Sequence, residues 1–274
     1  MIRIVIGYIL LYFVIMLGST FISYKTKKSL SSSIPIDILT KISVLYVFGL
    51  FNILLIGVIT TTVVSIILGI YALVKMNKTQ RNTLVDFGII FFSIVYFVLS
   101  ITTYERISNM WDEFTCWSLF TKKMFITNIY ETDCYPPVPT IWQYYCCKLI
   151  GNYTQGIEMF GLYIFSFSLL LPLFNIKKEK SLIYNFALSI IIICLPGIFS
   201  ETYSSISLYV IAITPSILFC FAIDIYSISA LSSLLELQSI IFIPAFLRFF
   251  SILYANSLKN GFHIVGKISA TVLV

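Results

Sequence analysis

Residues 42–74 read "ISVLYVFGLFNILLIGVITTTVVSIILGIYALV", and this stretch decides the fold class. The run is apolar almost throughout, too long for one untilted membrane helix of about 20 residues and short for two. Gly57 and the Thr60–Thr62 triplet offer a turn near its middle. Both flanks are basic, at Lys41 and Lys75, and basic flanks favour the cytoplasmic side of a membrane. The pattern therefore predicts a tight hairpin of two membrane helices.

The whole chain shares the apolar character of this run. Of its 274 residues, 59% are hydrophobic and 11% are charged, whereas a soluble domain carries about 25% charged residues. We therefore predict an all-α, multi-pass protein of the cell membrane, with one transmembrane domain over 1–274. The net charge of +6 does not indicate nucleic acid, because the bases cluster at the ends of apolar runs. Bases placed there set topology and contact membrane lipids.

Apolar runs divide the chain into about eight predicted membrane spans. They are 1–23, the hairpin at 42–74, 84–101, 157–174, 182–199, 205–223 and 228–254. Three basic loops, at 24–41, 75–82 and 177–180, are predicted to face the cytoplasm. The span count then places the long segment 102–155 on the extracytoplasmic side. That segment holds all 3 tryptophans, which favour the headgroup level, so we expect it to lie along the outer membrane surface.

Within that loop, residues 109–125 read "NMWDEFTCWSLFTKKMF" and combine an acidic pair, Asp112 and Glu113, with a lysine pair, Lys122 and Lys123. Treated as a helix from residue 112, the stretch has an apolar face formed by Phe114, Trp117, Phe120 or Thr121, and Met124. Its acids lie at the N-terminus and its lysines at the C-terminus, as the helix dipole favours. This pattern predicts a short amphipathic helix at the membrane interface. One open alternative is that the acids are only helix-start charges and the tryptophans only membrane anchors.

A second short helix is predicted after a proline-rich break. The sequence "CYPPVPT" at 134–140 interrupts regular structure, and Thr140 is placed to cap a helix over 141–150. That helix carries Trp142, Tyr144 and Tyr145. Cys116 and Cys134 lie in the same loop, and whether they pair stays open because spacing alone does not establish a disulfide.

Two pieces of the loop, "WDEFTCWSLFTKKMF" at 111–125 and "YPPVPTIWQYY" at 135–145, resemble the first extracytoplasmic loop of bacterial GT-C-type membrane glycosyltransferases. Those enzymes use polyprenyl-phosphate sugars as donors. Their loop places an acidic pair just beyond a membrane span, then an amphipathic helix, then a Tyr-Pro-Pro turn that leads to an aromatic helix. A fainter likeness surrounds "YSSISLY" at 203–209. The resemblance implies transfer of a sugar from a polyprenyl-phosphate donor to an extracytoplasmic acceptor of the cell envelope.

The resemblance also implies roles for the acidic pair. A hydroxyl acceptor is a weak nucleophile, and a nearby carboxylate can take its proton. The resemblance assigns that role to Asp112. On a helix, Glu113 points about 100° away from its neighbour, so it suits orienting the acceptor or holding a divalent cation with Asp112.

The remaining candidate residues concern the donor. The leaving phosphate gains charge and is stabilised by nearby cations, for which Arg106, Lys122 and Lys123 are candidates. For each, contact with lipid phosphates is the competing interpretation. The resemblance further gives Tyr135 and Trp142 a part in substrate binding.

Other functional classes stay open. A transporter or flippase for a lipid-linked saccharide needs ionisable residues in mid-membrane, and the sequence indicates few of them. A non-catalytic remnant or scaffold is a further alternative. Members of the resembled class have more spans and a C-terminal extension, whereas this chain stops at "ISATVLV", so a fragment and a reduced member are both open.

Overall fold

A computed structural model of the chain describes residues 2–82, 84–107, 118–130, 138–175 and 182–190, and every regular element in these ranges is helical. In chain order these elements are α1 Ile2–Thr26, α2 Leu30–Leu50, α3 Leu54–Lys75, α4 Lys78–Asn82, α5 Phe87–Thr102, α6 Ser118–Thr127, α7 Val138–Ile150 and α8 Gln155–Leu170. A 3-10 turn, Leu171–Asn175, continues α8, and residues 182–190 are also helical. The all-helical prediction is thus confirmed for this part of the chain.

Four of these helices are long and apolar enough to cross a membrane: α1, α2, α3, and α8 together with its 3-10 turn. In contrast, α5 is apolar but has 16 residues, fewer than the about 20 that an untilted span needs. The predicted span at 182–199 begins as a helix, and its remainder lies outside the described residues, as do the spans predicted at 205–223 and 228–254. The count of eight spans and the single domain over 1–274 therefore stay predictions.

The hairpin predicted for 42–74 is present, but its turn lies earlier than expected. Helix α2 ends at Leu50 and α3 begins at Leu54, with Asn52 between them in a left-handed backbone conformation (φ +58°) that asparagine tolerates. The predicted turn residues lie inside α3. Thr61 does not break that helix, because its hydroxyl donates to the carbonyl oxygen of Gly57 at 2.8 Å.

The prediction of a basic loop over 24–41 is wrong. Helix α1 continues to Thr26 and α2 begins at Leu30, capped by the Ser29 side chain, so the connection is only three residues long. Two charged residues of this stretch are buried and not exposed to water. Lys41 forms an ion pair with Asp37, which lies one turn earlier on α2, and both side chains are buried. This pairing allows α2 to become a candidate membrane span.

The turns between helices gather at two ends of the bundle. At the basic end, defined by Lys25, Lys27, Lys28, Lys75, Lys78 and Arg81, the last turns of α1 and α3 meet through the rings of Tyr24 and Tyr71. A hydrogen-bonded cluster joins three other helix ends there. Ser31 of α2 donates to Asp86, which caps α5, and Asn175 donates to Ser31 at 2.8 Å.

The opposite end, which we call the cleft end, brings together the last turn of α5 and the first turns of α6 and α8. Gly156 lies so close to the carbonyl oxygen of Thr103 that a Cβ at this position would overlap it. The absence of a side chain at Gly156 therefore sets how closely α8 approaches the end of α5.

Two helices predicted inside the 102–155 segment are confirmed, with corrections. Of the predicted helix 112–124, residues 118–124 are described and helical; α6 continues to Thr127, and its Met124 is buried in the core. Residues 112–117 lie outside the described residues. The second helix begins at Val138, so Thr140 lies within α7 and is not its N-cap.

Helix α7 is buried within the helix bundle. Residues 141–147 are all buried, and the helix packs against α1, α6 and α8. Tyr145 reaches α3, where its hydroxyl lies 3.1 Å from that of Thr62. Trp142 is therefore enclosed by protein and is not an exposed membrane anchor, while its depth in the membrane stays a prediction.

The transmembrane topology is open to a direct test by cysteine labelling. Because the loops at the basic end carry the lysines and arginine, we expect a membrane-impermeant thiol reagent added outside to label a cysteine at Thr132. The same reagent should spare a cysteine at Lys178. Both are placed in a cysteine-free background, with permeabilised cells as the control that both thiols react. The opposite pattern would invert the orientation of the whole bundle.

Candidate functional site

An open cleft with a volume of about 460 Å³ lies at the cleft end of the bundle. It is lined by residues 104–107 after α5, by three side chains of α6 and by the start of α8. These lining residues are Tyr104, Glu105, Arg106, Ile107, Ser118, Leu119, Lys122, Tyr153, Thr154 and Gln155. The wall is therefore built from the segment that sequence analysis singled out together with the first turn of a candidate membrane span.

Two of the predicted phosphate-binding cations face this cleft. Arg106 is exposed and donates a hydrogen bond of 2.8 Å to the hydroxyl of Tyr163 on α8, with its guanidinium 5.9 Å from that ring. Lys122 is exposed on α6, with its Nζ 6.0 Å from the ring of Tyr153. The fold thus brings together two cations that are separated in sequence. Glu105, on the same lining, reduces the net positive charge of the cleft.

Lys123, the third predicted cation, is exposed on α6 but does not line the cleft. Neighbouring residues on a helix point about 100° apart, which explains why Lys122 and Lys123 differ in this respect. This difference makes Lys123 a matched control for any role of the Lys122 charge.

A buried carboxylate lies beside the cleft, on the first turn of α8. Glu158 is 4% exposed and accepts a hydrogen bond from the hydroxyl of Ser118, the first described residue of α6. The hydroxyl of Tyr153 donates to the carbonyl oxygen of Ser118 at 2.9 Å. We call these three residues the Glu158 cluster. The sequence analysis did not predict this cluster. The signal available was Glu158 itself, an acidic residue inside the apolar run 157–174.

The chemistry of Tyr153 follows from these neighbours. Burial raises the pKa of the Tyr153 phenol above its usual range, and the nearby negative charge of Glu158 raises it further. A phenol with a raised pKa keeps its proton at neutral pH. Tyr153 is therefore a hydrogen-bond donor in the cluster and not a base.

The predicted catalytic acids, Asp112 and Glu113, lie outside the described residues, as does Tyr135. The described residues on either side of the segment that carries the acids both belong to the cleft. Ile107, just before residues 108–117, and Ser118, just after them, both line the cleft. The roles of the two acids, with or without a divalent cation, stay predictions.

Trp142, the remaining predicted substrate contact, lies in the core between α7 and α8. Its side chain is 0% exposed, its Nε1 donates to the carbonyl oxygen of Gly161 at 2.9 Å, and its ring stacks on Tyr145 at 5.4 Å between centroids. The indole thus meets the hydrogen-bonding need of a buried tryptophan within the protein. In this arrangement it offers no surface to a substrate.

A second polar site, also missed by the sequence analysis, lies within the candidate spans. Gly18 of α1 lies directly against both charged groups of the Asp37–Lys41 pair, and a Cβ at this position would overlap the Asp37 carboxylate. The pair therefore lies between α1 and α2, inside the bundle. In a membrane helix such ionisable residues are costly and often functional.

Metal ligands were also sought among the described residues. No group of three or more His, Cys, Asp or Glu side chains in those ranges is arranged to hold a metal ion. Cys146 and Cys147 are free thiols buried in α7. The predicted cation ligands, Asp112 and Glu113, are not among the residues searched.

Comparison of the chain with protein-family models, with curated proteins and with solved structures gives no significant match. The likeness to GT-C-type glycosyltransferases thus depends on the motif residues alone.

Proposed function

We propose that the chain is a membrane glycosyltransferase that moves a sugar from a polyprenyl-phosphate donor to a hydroxyl acceptor at the outer membrane surface. The observation that carries this proposal is the cleft. Arg106 and Lys122 face it, and Ile107 and Ser118, the described residues on either side of the segment with Asp112 and Glu113, line it. A cationic pocket beside an acidic segment, at the end of a membrane bundle, suits a donor whose phosphate lies at headgroup depth.

The proposed reaction has two requirements that these residues divide between them. The acceptor oxygen forms a bond to the anomeric carbon of the sugar while the bond from that carbon to the phosphate oxygen breaks. The acceptor proton passes to the Asp112 carboxylate, and the lipid phosphate leaves with the bonding electron pair. Arg106 and Lys122 then stabilise the charge that develops on the phosphate.

The two cations differ in how firmly they are placed. The hydrogen bond from Arg106 to Tyr163 fixes the orientation of the guanidinium, whose remaining N–H groups can donate to a phosphate. Lys122 offers a compact charge on a flexible stem. We therefore assign the orienting contact to Arg106 and a supporting electrostatic contact to Lys122.

Removal of these charges should reduce transfer. Hydrogen bonds to charged groups contribute about 1.5–3 kcal/mol, so Arg106→Gln should lower kcat/KM for the donor by roughly 10- to 100-fold, and Lys122→Gln by less. The measurement is sugar transfer in membranes from a panel of polyprenyl-phosphate sugars.

Lys123→Gln is the matched control, because it removes the same charge one residue away, outside the cleft. Its activity should stay within about twofold of the unmodified protein, as expected for an exposed charge. An equal loss in Lys122→Gln and Lys123→Gln would show that only general attraction to the lipid surface is at work.

A second candidate, a transporter or flippase for a lipid-linked saccharide, is favoured by one specific observation. The buried Asp37–Lys41 pair places ionisable groups within a candidate span, and Pro35 lies in the same helix. Ionisable residues inside membrane spans often mark transport pathways. Translocation of a lipid-linked saccharide in vesicles, without sugar transfer, would favour this candidate over the first.

A further inference from the structure

The C-terminal ends of α1 and α3 lie side by side at the basic end of the bundle. The rings of Tyr24 on α1 and Tyr71 on α3 meet edge to face, with 6.3 Å between their centroids. Earlier in both helices, Gly69 lies so close to the backbone of Leu17 that a Cβ at this glycine would overlap it. The last turns of the two helices therefore form one continuous surface.

Two lysines stand on this surface, one from each helix. Lys25 directly follows Tyr24, and its Nζ lies 5.7 Å from the ring of Tyr24 and 5.8 Å from that of Phe21. Lys75 lies in the last turn of α3, one turn after Tyr71. Both lysines are exposed. The partly negative C-terminus of a helix favours positive charge, so each lysine is stabilised at its position.

Arg81 adds a third cation from the short helix α4. Its guanidinium reaches back to the end of α3 and donates to the carbonyl oxygen of Leu73 at 3.1 Å, a group that lacks a partner within the helix. A guanidinium has further N–H donors, and the residue is exposed, so these remain accessible to a phosphate. In the part of the chain that the structure describes, no ion pair joins Arg81 or the two lysines to an acidic side chain. We call Lys25, Lys75 and Arg81, together with the two tyrosine rings, the α1–α3 corner.

An apolar face of α3 continues from this corner toward the middle of the helix. Ile67, Ile70 and Val74 are 60%, 51% and 71% exposed, and Tyr71 between them is 45% exposed. Their spacing places all four on one side of the helix. A soluble anion would contact the cations alone, whereas a phospholipid would also place its acyl chains along these side chains.

We infer that the α1–α3 corner binds an anionic phospholipid, with its headgroup phosphate on Lys25, Lys75 and Arg81 and its acyl chains along the exposed face of α3. All bases of the basic end attract anionic headgroups in a general way. The corner differs because two packed helices and the folded-back Arg81 hold three cations above one apolar face. The inference goes beyond the proposed function and is independent of it, and it holds whichever side of the membrane the basic end faces.

Native mass spectrometry of the complete protein tests this site without any activity. The protein is released from micelles of a neutral detergent after titration with phosphatidylglycerol, and the number of bound lipids is counted at each concentration. We expect saturable binding of a first phosphatidylglycerol, and binding of the uncharged-overall phosphatidylcholine that is weaker by about tenfold or more. Lys25→Gln and Lys75→Gln should each lower the apparent affinity for the first phosphatidylglycerol by about fivefold, as expected for one base beside an anionic headgroup.

Lys27→Gln is the matched control, because Lys27 is an exposed base of the same end that lies in the turn from α1 to α2, outside the corner. Its affinity should stay within about twofold of the unmodified protein. An equal loss in Lys25→Gln and Lys27→Gln would overturn the inference, because it would show general attraction to the basic end only. Equal affinity for phosphatidylglycerol and phosphatidylcholine would overturn it as well.

Two further comparisons complete the test. Arg81→Gln should weaken binding at least as much as the lysine variants, but it also breaks the bond to the Leu73 carbonyl oxygen. If that variant does not fold, Lys25→Gln and Lys75→Gln decide the outcome, since neither breaks such a bond. Inorganic phosphate in excess should leave phosphatidylglycerol bound, because it cannot contact the apolar face of α3. Displacement of the lipid by inorganic phosphate would reject a lipid site in favour of a site for soluble anions.

Discussion

Replacing Lys41 by methionine should lower the free energy of unfolding by about 3–5 kcal/mol, because it leaves the Asp37 carboxylate buried without its cation. The side chains of the pair are only 3% and 6% exposed, so water cannot substitute for the lost partner. Gly18 lies against both groups, so the site also has no room to rearrange. Chemical or thermal unfolding in detergent micelles measures this change.

The double variant Asp37→Leu with Lys41→Met gives the decisive comparison. It removes both charges and places apolar side chains in an apolar span, so most of the lost stability should return. Lys75→Met is the control for loss of an exposed positive charge and should change stability by about 0.5 kcal/mol or less. A double variant as unstable as the single variant would show that the pair does not act as a neutralised unit.

The same double variant also separates the two candidate functions. If the pair serves a transport pathway, the folded double variant should lose translocation of a lipid-linked saccharide. If the pair only neutralises charge within the bundle, the double variant should keep the activity of the unmodified protein. Sugar transfer and translocation measured on one preparation therefore give this comparison.

The hairpin at 42–74 could be predicted from the sequence because length and apolar character limit what a membrane accommodates. Its turn could not be placed, because the decisive feature is the left-handed backbone of Asn52. The threonines of α3 suggested a break, yet Thr61 satisfies its hydroxyl on its own helix. Side-chain bonds of this kind leave no periodic signal in the sequence.

The charged stretch before the hairpin shows a different reason for error. Lysines near an apolar run indicate a loop when each charge is counted separately. Asp37 and Lys41 are four residues apart, which on a helix places them on the same face and allows them to neutralise each other. The four-residue spacing is visible in the sequence, and an ion pair inferred from it would have extended the predicted membrane hairpin at 42–74 toward the N-terminus.

Helix α7 was predicted in the right place but in the wrong environment. Aromatic residues favour both membrane interfaces and buried cores, so Trp142 and Tyr145 alone do not distinguish the two. All residues of "IWQYYCC" at 141–147 are buried, including Gln143, which accepts a hydrogen bond from Thr121 of α6; the sequence alone does not show that tertiary contact. In the candidate site, Arg106 and Lys122 were predicted as candidate phosphate-binding cations, and the fold places both on one cleft, whereas Glu158 required the tertiary contact with Ser118 to be recognised.

Asp112→Asn is expected to give the largest change in activity. Asparagine keeps the size of the side chain and most of its hydrogen bonding, but it cannot take the proton of the acceptor hydroxyl. General-base catalysis contributes typically about 10²–10⁴-fold, so sugar transfer should fall by that factor while insertion and accumulation stay unchanged. If Asp112 is only a helix-start charge, asparagine serves almost as well there, and stability should change by only a few tenths of a kcal/mol.

Glu113→Gln is the matched comparison, because it makes the same chemical change at the adjacent residue. Its loss should be smaller, unless Glu113 helps to hold a divalent cation, in which case added cation should partly restore transfer. Full transfer by Asp112→Asn would reject the catalytic role and leave the acidic pair as helix-start charges. Comparable losses in both variants that added cation reverses would instead assign the pair to metal binding. Asp112 and Glu113 are adjacent in a segment whose flanking residues line one cleft, so position alone does not assign their roles. The difference in transfer activity between the two variants distinguishes a catalytic base from a metal ligand.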